Sequence, residues 1–414
     1  MRSGLVAPPL RAPVRPQAIR ALPAPEVRGC LTTVNWAASA RHRVQLAREL
    51  PAGSAFGRCR AKEGSRMGTP LSPPPSESAP PHSGHLQKRS YLPDKELVDL
   101  LRAEFEARWP PDATGAEATA RYALVPTGKL LRPLLLLHSA QAVGGSVHQV
   151  LPAAVGLECV HVGSLIHDDL IDHDDVRRNR DSVHRRFGAD HAIVAGNALF
   201  FTWFDTLGEC ADRGVPAARV LKAMRIQARV GRQVCQGAAT ELCMAGHFDT
   251  PVADYLEMVR LKTAILLAAA CRTGSVLVGA RSEHAEALTR YGEALGIAFQ
   301  IRDDLLPYGA NPDVAGKPAA SDIRNLRPTL PVLLARDLAT PAGRVALLQA
   351  VTAANPQALD TVREIVHSSG AGARATDLAR QYSDLALHQL DALPDSLSKH
   401  RLAALAALTD DRTR

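Results

Sequence analysis

A chain of 414 residues with 46% hydrophobic and 22% charged residues can bury a sizeable core, and at 4% aromatic it lacks the exposed rings that base-stacking nucleic-acid modules use. The formal charge of +7 is unevenly spread: residues 1–90 hold 14 Lys and Arg against four Glu and no Asp, so the remaining 324 residues balance at −3. The folded part therefore gives no electrostatic case for a DNA or RNA partner. Cys30, Cys59, Cys159, Cys210, Cys235, Cys243 and Cys271 are scattered, with no Cys-x-x-Cys pair. That spacing argues against a disulfide framework or a structural zinc site, and for a reducing compartment. No apolar run reaches the roughly 18 residues of a membrane span. The nearest, Ala264 to Ala280, is broken by Arg272 and two glycines and reads as a buried helix.

Residues 1–90 carry 13 of the 29 prolines, and Met67 to Pro81 is mostly Ser and Pro. Such text buries too little apolar surface to offset ordering entropy, so a disordered leader is expected. It reads either as an Arg-rich organelle transit peptide or as translated upstream sequence with Met67 as the true start. The first reading implies an organelle, the second the cytoplasm. From Tyr91 the texture is helical. Leu97, Leu100, Leu101, Phe105 and Trp109 recur at helical spacing. Leu130–His138, Val150–Asp172, His191–Leu207, Arg219–Leu242, Val252–Arg272 and Ser282–Leu306 continue the pattern. Leu326–Leu338, Gly343–Ala354, Gln357–Ser368, Ala371–Leu393 and Ser396–Thr409 complete it. Pro110, Pro126, Pro152, Pro251 and Pro331 are expected at helix starts or in loops. With no period-2 strand and no fixed repeat, residues 91–414 read as one all-α domain.

The stretch Glu158-Cys-Val-His161-Val-Gly163-Ser164-Leu-Ile-His167-Asp168-Asp169-Leu-Ile-Asp172 begins as an apolar helix and ends in carboxylates. At about 100° per residue, Asp168, Asp169 and Asp172 share an arc roughly 100° wide. Like charges so placed repel, and on a buried helix they need a cation. Hard oxygen donors without Cys suit Mg²⁺, which bridges carboxylates to substrate phosphates. A second acidic pair, Asp303-Asp304, closes another apolar helix after Phe299-Gln300. Facing each other, two such ends make an acidic mouth for metal and oligophosphate. Cations recur beside them: Lys129 and Arg132, Arg177 and Arg178, Lys262 next to Thr263, and Lys317.

Taken in order, these motifs resemble the trans-isoprenyl (polyprenyl) diphosphate synthase family. Gly128-Lys-Leu-Leu-Arg-Pro133 is similar to its Gly-Lys-x-x-Arg-Pro, and Asp168–Asp172 to its first Asp-rich motif followed by an Arg pair. Lys262-Thr263, Phe299–Asp304, Gly316-Lys317 and Thr329-Leu-Pro331 match later motifs. Three positions depart from the pattern: Pro307 where a third Asp is usual, Asn179 for a Gly after the Arg pair, and Asn197 for an Asp.

The resemblance implies a single large helical bundle of the isoprenoid synthase type with a central apolar cavity, working as a homodimer. Isopentenyl diphosphate would condense with an allylic diphosphate (dimethylallyl, geranyl or farnesyl) by Mg²⁺-assisted ionisation, with three ions when substrate is bound. Asp168, Asp169, Asp172, Asp303 and Asp304 would be the metal residues, Asp169 in support. Arg177, Lys262 and Lys317 would stabilise the leaving diphosphate, with Thr263 and Gln300 beside it. Lys129, Arg132, His138 and Arg178 would hold isopentenyl diphosphate.

Gly163 and Ser164, one turn above the metals, are too small to close the cavity floor, so a product of twenty carbons or more is expected. Three other readings compete. A terpene cyclase would carry an Asn-Asp-x-x-Ser-x-x-x-Glu pattern, which is missing here. A non-catalytic subunit of a heteromeric synthase would have lost metal-binding aspartates. An HD-type phosphohydrolase, prompted by His167-Asp168, would draw on His161 and His173.

Overall fold

The computed structural model of the chain describes residues 91–309, 318–353 and 356–411. The expected leader and Lys317 lie outside them. The first helices are α1 (Asp94–Arg108), α2 (Gly115–Leu124), α3 (Leu131–Ala142) and α4 (Val147–Ile171). A hairpin, β1 (Val176–Arg177) and β2 (Arg180–Asp181), precedes α5 (Val183–Phe187), α6 (Ala189–Asp212) and α7 (Ala217–Met244). Then come α8 (Val252–Val259), α9 (Ile265–Leu277) and α10 (Ser282–Leu305). The last are α11 (Pro318–Arg324), α12 (Leu330–Leu338), α13 (Pro341–Thr352), α14 (Leu359–Ser368), α15 (Ala371–Gln389) and α16 (Leu397–Asp411).

The central helix is α4. Val147 to Val160 is buried with only His148 and Gln149 less covered, so this helix is apolar all round because helices surround it. It packs against α6 and α3, while α9 packs on α3, α7 and α10. Leu135, Leu136, Leu137, Leu157, Leu267 and Tyr291 are fully buried between them. A smaller cluster of Tyr255, Ile301, Leu305, Leu330 and Leu333 backs the acidic end of α10. Burial of these side chains, at about 1.5–3 kcal/mol each, fixes where α4 and α10 end.

Four local features differ from the periodicity reading. Pro152 lies inside α4 rather than at its start. Its missing N–H leaves the His148 carbonyl without a helical donor, and Arg213 Nη1 donates to that oxygen at 3.3 Å. Val252–Arg272 is not one helix: a π turn at Arg260–Ala264 separates α8 from α9. The helix expected from Leu326 begins at Leu330, since Pro328 disfavours helical backbone at Arg327. The two-residue loop of the hairpin, Arg178 (φ 52) and Asn179 (φ 59), is left-handed at both positions. This is the geometry that two-residue hairpin turns require and that Asn tolerates, which accounts for Asn in place of Gly at 179.

Candidate active site

A cavity of about 840 Å³ lies between the middle of α4 and the C-terminal end of α10; Asp303 and Asp304 line it, whereas Asp168, Asp169 and Asp172 at the end of α4 do not. One wall carries Gly128, Lys129 and Arg132 from the start of α3, Glu158 and His161 from α4, and Arg178 from the hairpin. Gly128 makes room for this group: a Cβ there would lie 2.5 Å from Arg178 Nη2. Glu158 is buried and Arg132 partly buried. Burial pulls the Arg132 guanidinium down, with Glu158 and Asp303 opposing, and pushes the Glu158 carboxyl up, with Arg132 and Arg178 opposing. Burial, then the fields of Arg132, Arg178 and Arg177, holds His161 well below the usual imidazole range, so it is neutral.

The opposite wall carries Glu241, Tyr255, Lys262, Thr263, Gln300, Asp303, Asp304, Asp322 and Arg327. Its hydrogen bonds run as a relay. Thr263 donates to Gln300 Oε1 at 3.0 Å, and Gln300 Nε2 donates to Asp304 Oδ1 at 2.9 Å. Tyr255 donates to the other oxygen of Asp304, which the Leu330 N–H also approaches at 3.4 Å. Lys262 bonds Glu241 at 2.5 Å, and Arg327 bridges Glu241 (2.7 Å) and Asp172. The π turn that carries Lys262 and Thr263 lies directly on α7, where a Cβ at Gly237 would meet Lys262 N at 2.4 Å.

The carboxylates divide into two kinds. Asp169 is buried and taken by Arg177, whose Nε donates at 2.8 Å. Asp304 is buried and held by Tyr255 and Gln300. Both second aspartates thus face protein donors and support the motif from behind. Asp172 is likewise held by Arg327; with Asp168 and Asp303 it could hold a metal ion.

Burial raises Asp172 despite Arg327 and Lys262. Burial, then Asp304, pushes Asp322 up to about 8, with Glu241 and Asp172 adding to the repulsion. That surplus of negative charge, in hard oxygen donors without thiolate, fits Mg²⁺. Among the described residues no three His, Cys, Asp or Glu side chains form a ready cage.

Several expected site residues sit elsewhere. His138 does not reach the cavity: it is fully buried on α3, its Nε2 2.9 Å from Asp94 Oδ1, and Asp94 also pairs with Arg401 of α16. The imidazole in the cavity is His161. The sequence held the signal, because seven residues is close to two full turns and puts His161 on the stripe of Asp168. Arg177 turns to Asp169 rather than into the large cavity. Gly163 faces α6, and neither it nor Ser164 lines the cavity. Asp322, Glu241, Tyr255 and Arg327 were not anticipated; only the adjoining Thr329-Leu-Pro motif hinted at Arg327. Pro307 lies in a 3₁₀ turn, and its carbonyl accepts from Arg363 Nε at 2.9 Å. Asn197 is exposed on α6.

Comparison with known proteins agrees with this geometry. A family model described as polyprenyl synthetase matches residues 115–368. The geranylgeranyl diphosphate synthase of Methanosarcina mazei is 36% identical over 287 residues, 69% of this chain and 86% of that protein. The geranylfarnesyl diphosphate synthase of Aeropyrum pernix is 34% identical over 323 residues, 77% of this chain and 100% of that protein. A crystal structure of a polyprenyl synthase from Caulobacter crescentus, complexed with calcium and isoprenyl diphosphate, superposes with a TM-score of 0.71 at 30% identity. It covers 77% of this chain and 96% of its own. A cation-lined cavity at the acidic end of α10, this fold and these relatives show that the chain belongs to the polyprenyl synthetase family and is a trans-prenyl diphosphate synthase.

Proposed function

We propose that the protein condenses isopentenyl diphosphate with an allylic diphosphate to give an all-trans prenyl diphosphate of twenty carbons or more. The observation that carries this reading is one cavity lined by five basic side chains, Lys129, Arg132, Arg178, Lys262 and Arg327, together with His161 and the carboxylates Asp303 and Asp304. That is cationic charge enough to receive two diphosphates beside a carboxylate pair.

Asp168, Asp172 and Asp303 would hold Mg²⁺, which would supply Lewis-acid stabilisation of the allylic diphosphate. Lys262 and Arg327 place fixed positive charge where negative charge grows as the allylic C–O bond breaks. That charge is larger in the transition state than in the bound substrate, so the stabilisation is differential. Lys129, Arg132 and Arg178 hold the second diphosphate and so orient the isopentenyl double bond toward the allylic carbon. His161, neutral, donates or accepts one hydrogen bond there without adding charge. The double bond attacks the allylic carbon, a C–C bond forms, and a proton leaves to the released diphosphate. Met258, Val259 and Phe299 line the cavity beside the reacting carbons and keep water from the cation.

Exposed apolar side chains support a homodimer. Ile193, Val194 and Phe201 on α6 and Leu221 and Leu242 on α7 are exposed, Phe201 by 75%. A self-complementary interface would cover them. Sedimentation at micromolar concentration should show a dimer, and Phe201→Asp should shift it toward monomer.

The decisive assay incubates purified protein with Mg²⁺, labelled isopentenyl diphosphate and each allylic primer in turn, and reads product chain length. Prenyl diphosphates of twenty carbons or more support the reading. A cyclised hydrocarbon, or no product that depends on isopentenyl diphosphate, overturns it.

A further inference from the structure

Glu158 stands on α4 in the cavity wall that also carries Lys129, Arg132, His161 and Arg178. Its neighbours Leu157 and Cys159 are fully buried, and Glu158 itself is 3% exposed. Among the described residues its carboxyl makes no hydrogen bond and no ion pair. Arg132 on the same wall is in a similar state: its buried Nε has no partner, and Glu158 and Asp303 reach the guanidinium only through their fields. Acid and guanidinium thus line one cavity without closing on each other.

A buried carboxylate left unpaired is costly, and proteins avoid it by pairing the group or by leaving its proton in place. This wall shows no pairing. Its expected occupant points the same way. A diphosphate is a polyanion, so an ionised carboxylate at its seat would repel it and offset one of the cations that bind it. A protonated carboxyl adds no charge and has an O–H to donate. Few groups bear on Glu158. Of the charged side chains on the elements packed around it, Arg132 of α3 and Arg178 of the hairpin oppose the proton, and burial outweighs them. A bound diphosphate would neutralise those same two cations. Lys129 and Asp303 share the cavity. On α4 itself the adjoining groups are neutral: burial holds His161 low and the Cys159 thiol high.

We propose that Glu158 works as a neutral acid whose carboxyl O–H donates a hydrogen bond to the diphosphate of isopentenyl diphosphate. This rests on the prenyl-transfer reading. Lys129, Arg132 and Arg178 supply the charge. Glu158 and His161, three residues apart on one face of α4, supply hydrogen bonds without charge. The proton on Glu158 is therefore part of the binding site.

The test measures binding of isopentenyl diphosphate to the full chain by calorimetry, with Mg²⁺ and no primer, in wild type, Glu158→Gln and Glu158→Ala. Gln keeps the shape and an N–H donor without a charge, so its Kd at neutral pH should stay within about threefold of wild type. Ala removes the donor, and its Kd should rise about tenfold or more. Infrared difference spectra of the complexes should show a protonated-carboxyl stretch in wild type that is missing from Glu158→Gln, a signature that a merely structural role does not produce. If the Ala variant does not fold by circular dichroism, the Gln variant and the infrared band decide. A Gln variant that binds more weakly than stated, a folded Ala variant that binds like wild type, or an infrared difference belonging to an ionised carboxylate overturns the proposal. Wild-type protein that binds isopentenyl diphosphate with the expected signatures, yet makes no prenyl diphosphate once an allylic primer is added, overturns the prenyl-transfer reading instead.

Discussion

Arg327 pairs with Asp172 across 155 positions of chain, and the same guanidinium reaches Glu241 at 2.7 Å. The pair joins the end of α4 to the segment that leads into α12. A planar guanidinium can span two carboxylates, where an ammonium serves as a point charge. Arg327 is therefore a tie between the two acidic elements, in a position lining the cavity proposed to hold the allylic diphosphate. Arg327→Lys should keep the fold and raise the KM for the allylic primer about tenfold, and Arg327→Ala should lower kcat as well. Steady-state kinetics with each substrate varied separately checks this. An effect confined to isopentenyl diphosphate would place Arg327 at the wrong end.

Asp168→Ala and Asp303→Ala should each reduce turnover by more than about a hundredfold while leaving the far-UV helical signal unchanged, because each removes a metal-facing carboxylate. Chelation with EDTA should do the same and be reversed by Mg²⁺. Activity above a tenth of wild type in either variant would show that the residue is not a ligand.

His161→Ala should raise the KM for isopentenyl diphosphate and leave that for the allylic primer alone, since His161 shares its wall with Lys129, Arg132 and Arg178. The same substitution at His138 should change stability and not either KM.

The pH dependence of stability carries a second signature of His138. Burial lowers its pKa below 6.5, although Asp94 pulls it up; Arg401 pushes it further down. The unfolded chain therefore takes up the proton first as pH falls. Stability is fully present above about pH 6.5 and is lost as pH falls toward the lower folded value. Asp94, held low by Arg401 and His138 against burial, adds a loss of the same sign in more acidic solution. Tyr91, the other group facing this cluster, does not titrate in that window. His138→Gln should flatten the slope between pH 7 and 5 in urea melts, even if the variant is less stable at pH 7.

Gly163→Ala should destabilise. Ala gains up to about 1 kcal/mol of helix propensity, but its methyl would press on the Gly196 carbonyl and the Phe200 ring at 3.0 Å. Overpacking costs of about 1–3 kcal/mol outweigh that gain. A fall in Tm of about 2–4 °C for each kcal/mol of net loss is expected. A rise in Tm would mean that α4 and α6 separate more easily than the contact implies.

The all-α class and the ends of α4 and α10 were legible in the sequence because apolar periodicity and carboxylate clusters are local signals. What was not legible depends on azimuth and on distant chain. His138 and His161 both lie on apolar helices; only the angular relation to Asp168 separates a buried structural imidazole from one in the cavity. Gly163 read as open space because the residue filling it lies 37 positions later on another helix. Asp322 and Arg327 gain their roles from neighbours 18 to 155 positions away. Asn179 looked like a departure, yet the left-handed turn it occupies accepts it.

The π turn at Arg260–Ala264 has a consequence for the register of everything after it. A π turn holds one more residue than an α turn in the same rise, so α8 and α9 share an axis but not a phase. Lys262 can reach Glu241 of α7 and Thr263 can reach Gln300 of α10, while Leu266 and Leu267 keep their core-facing orientation two turns from α8. Wound as an unbroken α-helix instead, the same five residues would turn the faces of α9 by about 100° relative to those of α8. The wide turn works as a phase shifter, letting one continuous rod serve two surfaces whose periods do not match.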